Sequence, residues 1–315
     1  MTRYILQRLI MVIPVLLGVT LITFFAMRVL PGDLAQAQLG ENATPEALQA
    51  FRQEHGLDDP LVTQYVHWLG NLVRFDLGDS LRGRDQPVLA EIGDRLPVTF
   101  ELALVSLFFS LLIAFPAGII SAVKQDTLLD YAARIISMFG LAVPSFVVGS
   151  MMVTLPAIWF GWIPPIRYTP FISDPVSNIS QFILPGIALG AGLAGTITRM
   201  IRSQMLEVLR QDYVRTARAK GLGEATIIYR HSLRNALIPV LTVIGLQLGV
   251  LLGGTIIIES IFALPGLGRL MVESVNLRDY PTIQGVVVLM SVTYVVVNLL
   301  VDISYAWLDP RVRYG

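Results

Sequence analysis

Six long apolar stretches, separated by polar segments, set the pattern of this chain. Read as windows free of charged residues, they are Leu9–Met27, Leu102–Val123, Ile135–Ile166, Pro175–Thr198, Asn235–Ile258 and Tyr280–Val301. A helix that crosses the hydrocarbon core of a bilayer needs about 20 apolar residues. Each window meets or approaches that length, and the third has room for a span plus an interfacial tail. The apolar positions run on continuously instead of alternating. Only helices and closed barrels satisfy their own backbone in lipid, so these windows predict helices. The expected fold class is an all-α membrane protein with six transmembrane helices.

The polar positions between the windows carry signals of their own. Between the first and second windows, Thr44-Pro45 reads as a helix cap followed by proline at the first helical position, with Leu48, Phe51 and His55 at helical spacing and Gly56 closing the element. Asp59-Pro60 repeats the start signal. Leu61, Tyr65, Trp68, Leu69 and Leu72 then form an apolar stripe, and Val88, Ile92 and Leu96 form another before Pro97. The stripes are expected to pack on one another and on the mouth of the spans; a docking surface for an extracytoplasmic partner is the sharper alternative. Pro31-Gly32-Asp33 reads as a turn. The organisation is thus 1–28, a lead and first transmembrane helix; 29–100, an extracytoplasmic helical segment; and 101–315, a five-helix core with a loop at 199–234.

Between the fourth and fifth windows, Asp212 to Pro239 reads DYVRTARAKGLGEATIIYRHSLRNALIP. Glycine weakens a helix interior and readily ends one. The expectation is a helix up to about Lys220, a sharp turn at Gly221-Leu222-Gly223, and a second short helix from Glu224 towards His231. A solvated basic connector explains the composition; a knuckle that a partner grips explains its shape.

Charge then orients the chain. Six spans put both termini on one side, and Lys and Arg favour the cytoplasmic side, chiefly in short loops. With the termini inside, the inner segments hold fourteen basic residues and the outer ones nine, six of which lie in the one long loop. Both termini and the knuckle are therefore expected in the cytoplasm of a multi-pass protein of the cell membrane. The first window is long for a cleaved signal, contains Pro14, and is followed by Arg28 and Pro31 in place of a small-residue cleavage site, so it reads as a retained span.

Within the spans, Gly186, Gly190, Gly192 and Gly195 allow helices to approach closely. Gly245, Gly249 and Gly253, spaced by four, form a seam suited to a neighbouring helix, with another subunit as a candidate partner.

Composition narrows the chemistry. The chain is 54 % hydrophobic and 15 % charged, with zero formal net charge, so no global field points to nucleic acid. Cysteine is absent and the three histidines share no spacing, which leaves no metal motif. No window has a charge near its middle; Glu101, Glu259 and Asp302 lie at the ends. Ionisable groups at mid-membrane mark ion pathways, so a secondary carrier has little support. The only lysines, Lys124 and Lys220, do not complete GxxxxGK[ST], and no HExxH or GxSxG occurs. The chain reads as a conduit without its own energy source, and no catalytic residue is assigned.

At the knuckle the sequence resembles the permease subunits of ATP-binding-cassette importers of the dipeptide/oligopeptide/nickel group. Asp212-Tyr213-Val214-Arg215-Thr216-Ala217-Arg218-Ala219-Lys220-Gly221-Leu222, followed by His231-Ser232-Leu233-Arg234-Asn235-Ala236-Leu237-Ile238-Pro239, is similar to that family's EAA loop. Arg215 and Thr216 stand where Glu and Ala occur in the general form, a variant that resembles the peptide group. The likeness extends to Leu57-Asp58-Asp59-Pro60-Leu61, Asp76-Leu77-Gly78-Asp79-Ser80, Arg95-Leu96-Pro97, Pro265-Gly266-Leu267-Gly268-Arg269, Arg278-Asp279-Tyr280-Pro281 and Asp309-Pro310-Arg311.

The resemblance implies an importer in which this chain is the first permease of the pair. Its partners would be a second permease, two ABC ATPase subunits that bind ATP and Mg, an extracytoplasmic solute-binding protein, and membrane lipid. It assigns ATPase coupling to Asp212, Tyr213, Arg215, Ala217, Arg218, Lys220, Gly221, Leu222 and Glu224. The implied cargo is peptides, with nickel chelates or glutathione as alternatives. A secondary carrier and a receptor or structural subunit are the rival classes.

Overall fold

A computed structural model describes residues 2–29, 34–40, 43–81, 86–165 and 167–308. The expected turn at Pro31-Gly32-Asp33 and the Asp309-Pro310-Arg311 motif lie outside the described residues. Among the described residues the chain is helical, apart from an isolated bridge between Asp79 and Pro87. The elements are α1 (Thr2–Val29), α2 (Leu34–Leu39), α3 (Pro45–Glu54), α4 (Leu61–Val73), α5 (Val88–Val123), α6 (Leu128–Ala142), α7 (Ser145–Phe160), α8 (Pro175–Leu209), α9 (Asp212–Ala219) and α10 (Glu224–Thr226). A π-helical stretch (Ile227–Leu233) leads into α11 (Arg234–Gly254), then α12 (Ile256–Ile261), α13 (Leu267–Asn276) and α14 (Tyr280–Leu308).

Among the described residues, five helical segments are each long and apolar enough to cross a membrane: Ile10–Val29, Val88–Val123, Pro175–Leu209, Glu224–Leu252 and Tyr280–Val301. The third apolar window, expected to hold a span plus an interfacial tail, is long and apolar enough to cross only as a bent pair. It is shared between α6 and α7, which bend by 92° at the break between them. Pro144 explains the break: a residue before proline is pushed out of helical conformation, and Val143 is extended at φ −89°, ψ 119°. Pro97, by contrast, does not end a helix. The stripe Val88, Ile92 and Leu96 continues through it into the second span as one 36-residue helix.

The chain forms two compact units, and the division falls within α5 and within α14. One unit comprises Thr2–Val98 with Pro265–Val295. Thr44 caps α3, its hydroxyl accepting from the Ala47 N–H, and Pro45 occupies the first turn. The expected Asp59 cap lies one residue later, at Pro60; the Gln64 amide instead bonds the carbonyls of Leu57 and Asp59. Tyr65 and Trp68 of α4 pack against Phe24 of α1, and Val88 and Ile92 join Leu267, Leu270 and Val286 in a core. The buried Asp279 carboxylate accepts from the Ser80 and Thr282 hydroxyls at 2.6 and 2.7 Å. Two separate sequence motifs, around Ser80 and around Asp279, thereby meet at the start of α14.

The other unit comprises Thr99–Leu264 with the end of α14. Its centre is α8, against which α6, α7 and α11 pack. Small residues allow this. A Cβ added to Gly190 would lie 2.7 Å from the Ser106 carbonyl oxygen of α5, and one added to Gly195 would lie 2.5 Å from that of Ser137 on α6. The expected seam on α11 is filled within the chain at Gly245, where an added Cβ would collide with Val301 of α14. Glu259 is fully buried and accepts hydrogen bonds from Thr99 and Thr255.

Candidate functional site

The knuckle is built on one turn. Helix α9 ends at Ala219 and Gly221 takes up φ +78°. The Gly221 N–H bonds the Arg218 carbonyl at 2.9 Å, and the Leu222 N–H bonds the Ala217 carbonyl at 3.2 Å. This paired arrangement satisfies the otherwise orphaned carbonyls of a helix end and calls for a left-handed residue at the position of Gly221. The sequence expectation of a helix to about Lys220 and a turn at Gly221-Leu222-Gly223 matches this geometry. The second helix is different from the expectation in one respect. It does not stop near His231 but runs from Glu224 through the π-helical stretch into α11, so the outgoing arm is continuous with a candidate membrane span.

Across the turn, Arg218 and Glu224 pair, with Nε to Oε1 at 2.8 Å. The two side chains are about half exposed, so the pair is a surface clasp worth about 0.2–1 kcal/mol. Arg215 and Asp212 pair more loosely at 3.4 Å on the exposed face. The body holds the knuckle from below. Val214, the one strongly apolar residue of α9 besides alanine and tyrosine, is fully buried, as is Ile227 on the outgoing arm. The Tyr213 hydroxyl accepts from the Asn235 amide at 2.7 Å.

Of the nine residues assigned to coupling, eight are exposed: Asp212, Tyr213, Arg215, Arg218, Lys220, Gly221, Leu222 and Glu224. Ala217 is half-buried and Tyr213 is tied inward by its hydroxyl, so these two support the knuckle as well as border it. Val214, Ile227 and Asn235 were not singled out from the sequence. The lone valine on an otherwise polar helix was the available signal for the first of them.

Behind the knuckle, at the same end of α8, lies a buried carboxylate. Asp130 is completely inaccessible. It pairs with Arg202 through two bonds of 3.0 Å and with Arg134 at 2.8 Å, and it accepts from the Ser121 hydroxyl and the Asp126 N–H. This network ties the end of α5, the start of α6 and α8 together two turns before the end of α8. Only the Asp130–Arg134 spacing of four was legible in the sequence; the other members come from different helices.

Residues 114–314 match the family described as binding-protein-dependent transport system inner membrane component, and residues 1–103 match the N-terminal region of such membrane components. The chain belongs to this family. A permease of this kind from Brucella abortus (strain 2308), named for a peptide transport system, is 43 % identical over 314 residues, covering 100 % of both chains. A dipeptide transport system permease of Alkalihalophilus pseudofirmus is 42 % identical, and a glutathione transport system permease of Escherichia coli (strain K12) is 38 % identical, each again over 100 % of both chains. Among solved structures, a chain of the MetNI methionine ABC transporter in inward-facing conformations superposes with a TM-score of 0.57 at 18 % identity, covering 70 % of this chain and 96 % of that one. An amino acid ABC transporter chain gives 0.51 at 17 % identity, covering 70 % and 94 %. The fold is therefore shared with chains of these transporters, and the protein is an inner membrane component of a binding-protein-dependent transport system.

Proposed function

We propose that this chain is a membrane-spanning permease subunit of an ATP-driven importer of peptides. It forms the path together with a second permease, receives cargo from an extracytoplasmic solute-binding protein, and carries no ATP hydrolysis of its own. Two ABC ATPase subunits, holding ATP and Mg, work it through the knuckle. Six spans, with the α6–α7 pair as the third, leave both termini and the knuckle in the cytoplasm; residues 29–100 form the extracytoplasmic segment and 101–315 the core.

The observation that carries the coupling reading is the shape of the Asp212–Leu233 region. It presents an exposed polar face on a helix too short to stand alone, clamped at both ends to spans. A short helix fixed at both ends transmits displacement to the helices it joins, and the outgoing arm here has no break before α11. The permease contributes two conformations that fit different ATPase states, which is how a partner's nucleotide cycle biases it. The peptide reading rests on the names of the relatives that match along the whole length; glutathione is the second reading, favoured by the relative named for it.

The test is disulfide trapping. Cysteine placed at Arg215 or Lys220 is expected to cross-link to the ATPase subunit in membranes, and to resist a membrane-impermeant reagent added outside intact cells. Labelling from outside would reverse the orientation, and failure to cross-link at either position would remove the knuckle from the interface.

A further inference from the structure

A cavity of about 810 Å³ opens beside the Asp130 network, between α5, α6 and α8. Its volume lies in the range of ligand sites, roughly 300–1,000 Å³. Its two ends differ. Met138, Leu141 and Gly195 line it towards one end of the helix pair, and Arg134, Arg199, Arg202 and Arg210 towards the other, where Ser203 and Leu206 lie among the arginines. Because α6 and α8 run antiparallel here, the residues of both helices grade from apolar to basic in the same direction. One carboxylate, Glu207, lies in the lining.

The arginines are more than Asp130 needs. Asp130 occupies Arg202 and one terminal nitrogen of Arg134, while the Arg134 Nε is buried without a hydrogen-bond partner. A buried guanidinium N–H left unpaired costs free energy, and an anion in the cavity would satisfy it. Arg199 makes no side-chain hydrogen bond or ion pair among the described residues, and the Arg210 guanidinium reaches only the side-chain Oε1 of Gln125, at 3.4 Å. Counting Glu207, Asp130 and Asp126, which is 3.8 Å from Arg134, the basic charges still outnumber the acidic ones by one.

The apolar end leads to a surface that suits acyl chains. Met138 is 68 % exposed, and Phe139 beside it on α6 is 65 % exposed. A ligand with a phosphate at one end and a hydrocarbon chain at the other matches both ends at once. Basic pockets between membrane helices on the cytoplasmic side take anionic head groups in this way. We infer that this cavity is a binding site for a phosphate-bearing anionic lipid of the inner leaflet, held by Arg134, Arg199 and Arg210 beside the root of the knuckle. The leaflet assignment rests on the orientation proposed above.

Native mass spectrometry of the full chain in detergent, titrated with phosphatidylglycerol, phosphatidylcholine or inorganic phosphate, tests this site. The expected result is retention of phosphatidylglycerol in preference to phosphatidylcholine. Retention should fall about fivefold for each of Arg199→Gln and Arg210→Gln, at about 1 kcal/mol per basic residue. Ser203→Trp, at an exposed position, fills the cavity without removing charge and should lower retention too. Equal retention of the two lipids, or retention unchanged in all three variants, overturns the site. Inorganic phosphate retained as well as the lipid assigns the arginines to a free anion and overturns the lipid reading, as does displacement of the lipid by a dipeptide. The measurement in detergent is independent of orientation, so outside labelling of a knuckle cysteine would sink the leaflet assignment alone.

Discussion

Arg218 and Glu224 face one another across the Gly221 turn, 2.8 Å apart from Nε to Oε1. They fasten the incoming helix to the outgoing arm at the point where the chain reverses. The clasp is half exposed and weak, so the shape of the knuckle depends more on the backbone at Gly221 than on this pair.

Replacing Gly221 therefore bears most directly on the turn. Space is open around it, with no atom within 4 Å of an added Cβ, but its φ of +78° suits glycine. A non-glycine residue in this region costs about 1–2 kcal/mol, more when β-branched. Gly221→Val is expected to leave the membrane core folded while lowering transport and substrate-stimulated ATP hydrolysis together. Glu224→Gln should have a much smaller effect. Unaltered stimulation in Gly221→Val would show that the turn is not needed for coupling.

Asp130→Asn removes one partner from a buried charge network and leaves Arg202 and Arg134 facing each other. Breaking a buried pair in this way typically costs about 3–5 kcal/mol. The purified variant is expected to melt well below the wild type in detergent, with Arg134→Gln milder because Arg202 still pairs with Asp130. Equal melting of Asp130→Asn and wild type would mean that the network adds nothing.

Gly195→Leu places bulk where a Cβ alone would approach the Ser137 carbonyl oxygen to 2.5 Å, a contact of Cβ with backbone that no rotamer relieves. Overpacking costs typically about 1–3 kcal/mol, and here the helices must separate. Gly223→Ala, in open space and with ordinary φ, is the matched control. Thermal melting of the two should differ clearly; equal values would contradict the close α6–α8 approach.

Asp174 caps α8, accepting from the Ser177 hydroxyl at 2.6 Å and from the N–H groups of Val176 and Ser177 at 3.1 Å. The Ser177 hydroxyl, chief among these donors, holds its carboxyl below the usual range. A depressed folded pKa stabilises the fold above the unfolded value of about 3.9 and loses that contribution as pH falls through the folded value. The melting difference between wild type and Asp174→Ala should hold from neutral pH to about 4.5 and shrink only below the ordinary carboxylate range. A difference that disappears near pH 6 would contradict the capping role.

What could be read from the residues was local. Thr44-Pro45 announced α3 and Gly221 announced the knuckle turn, because caps and left-handed turns depend on residues a few positions apart. The apolar windows located the spans for the same reason. Pro144 carried the signal for the bend between α6 and α7, but proline is tolerated inside membrane helices, as Pro97 and Pro116 in α5 demonstrate, so the residue alone does not separate a break from a pass. The joining of Ser80 to Asp279, and of Asp130 to Arg202, involves partners 199 and 72 residues apart. Single-sequence periodicity holds no information at that range. At the knuckle, exposure followed from polarity and the lone valine marked Val214, whereas the support from Ile227 and Asn235 emerged only from packing.

The central claim is that a separate ATPase drives this permease through the knuckle. Uptake of a labelled dipeptide into proteoliposomes loaded with ATP measures it most directly. The importer assembled with its second permease, ATPase subunits and binding protein is expected to accumulate the dipeptide, and to stop when the ATPase is omitted or when Gly221→Val is installed. Uphill accumulation by this chain in vesicles without any ATPase would contradict the account.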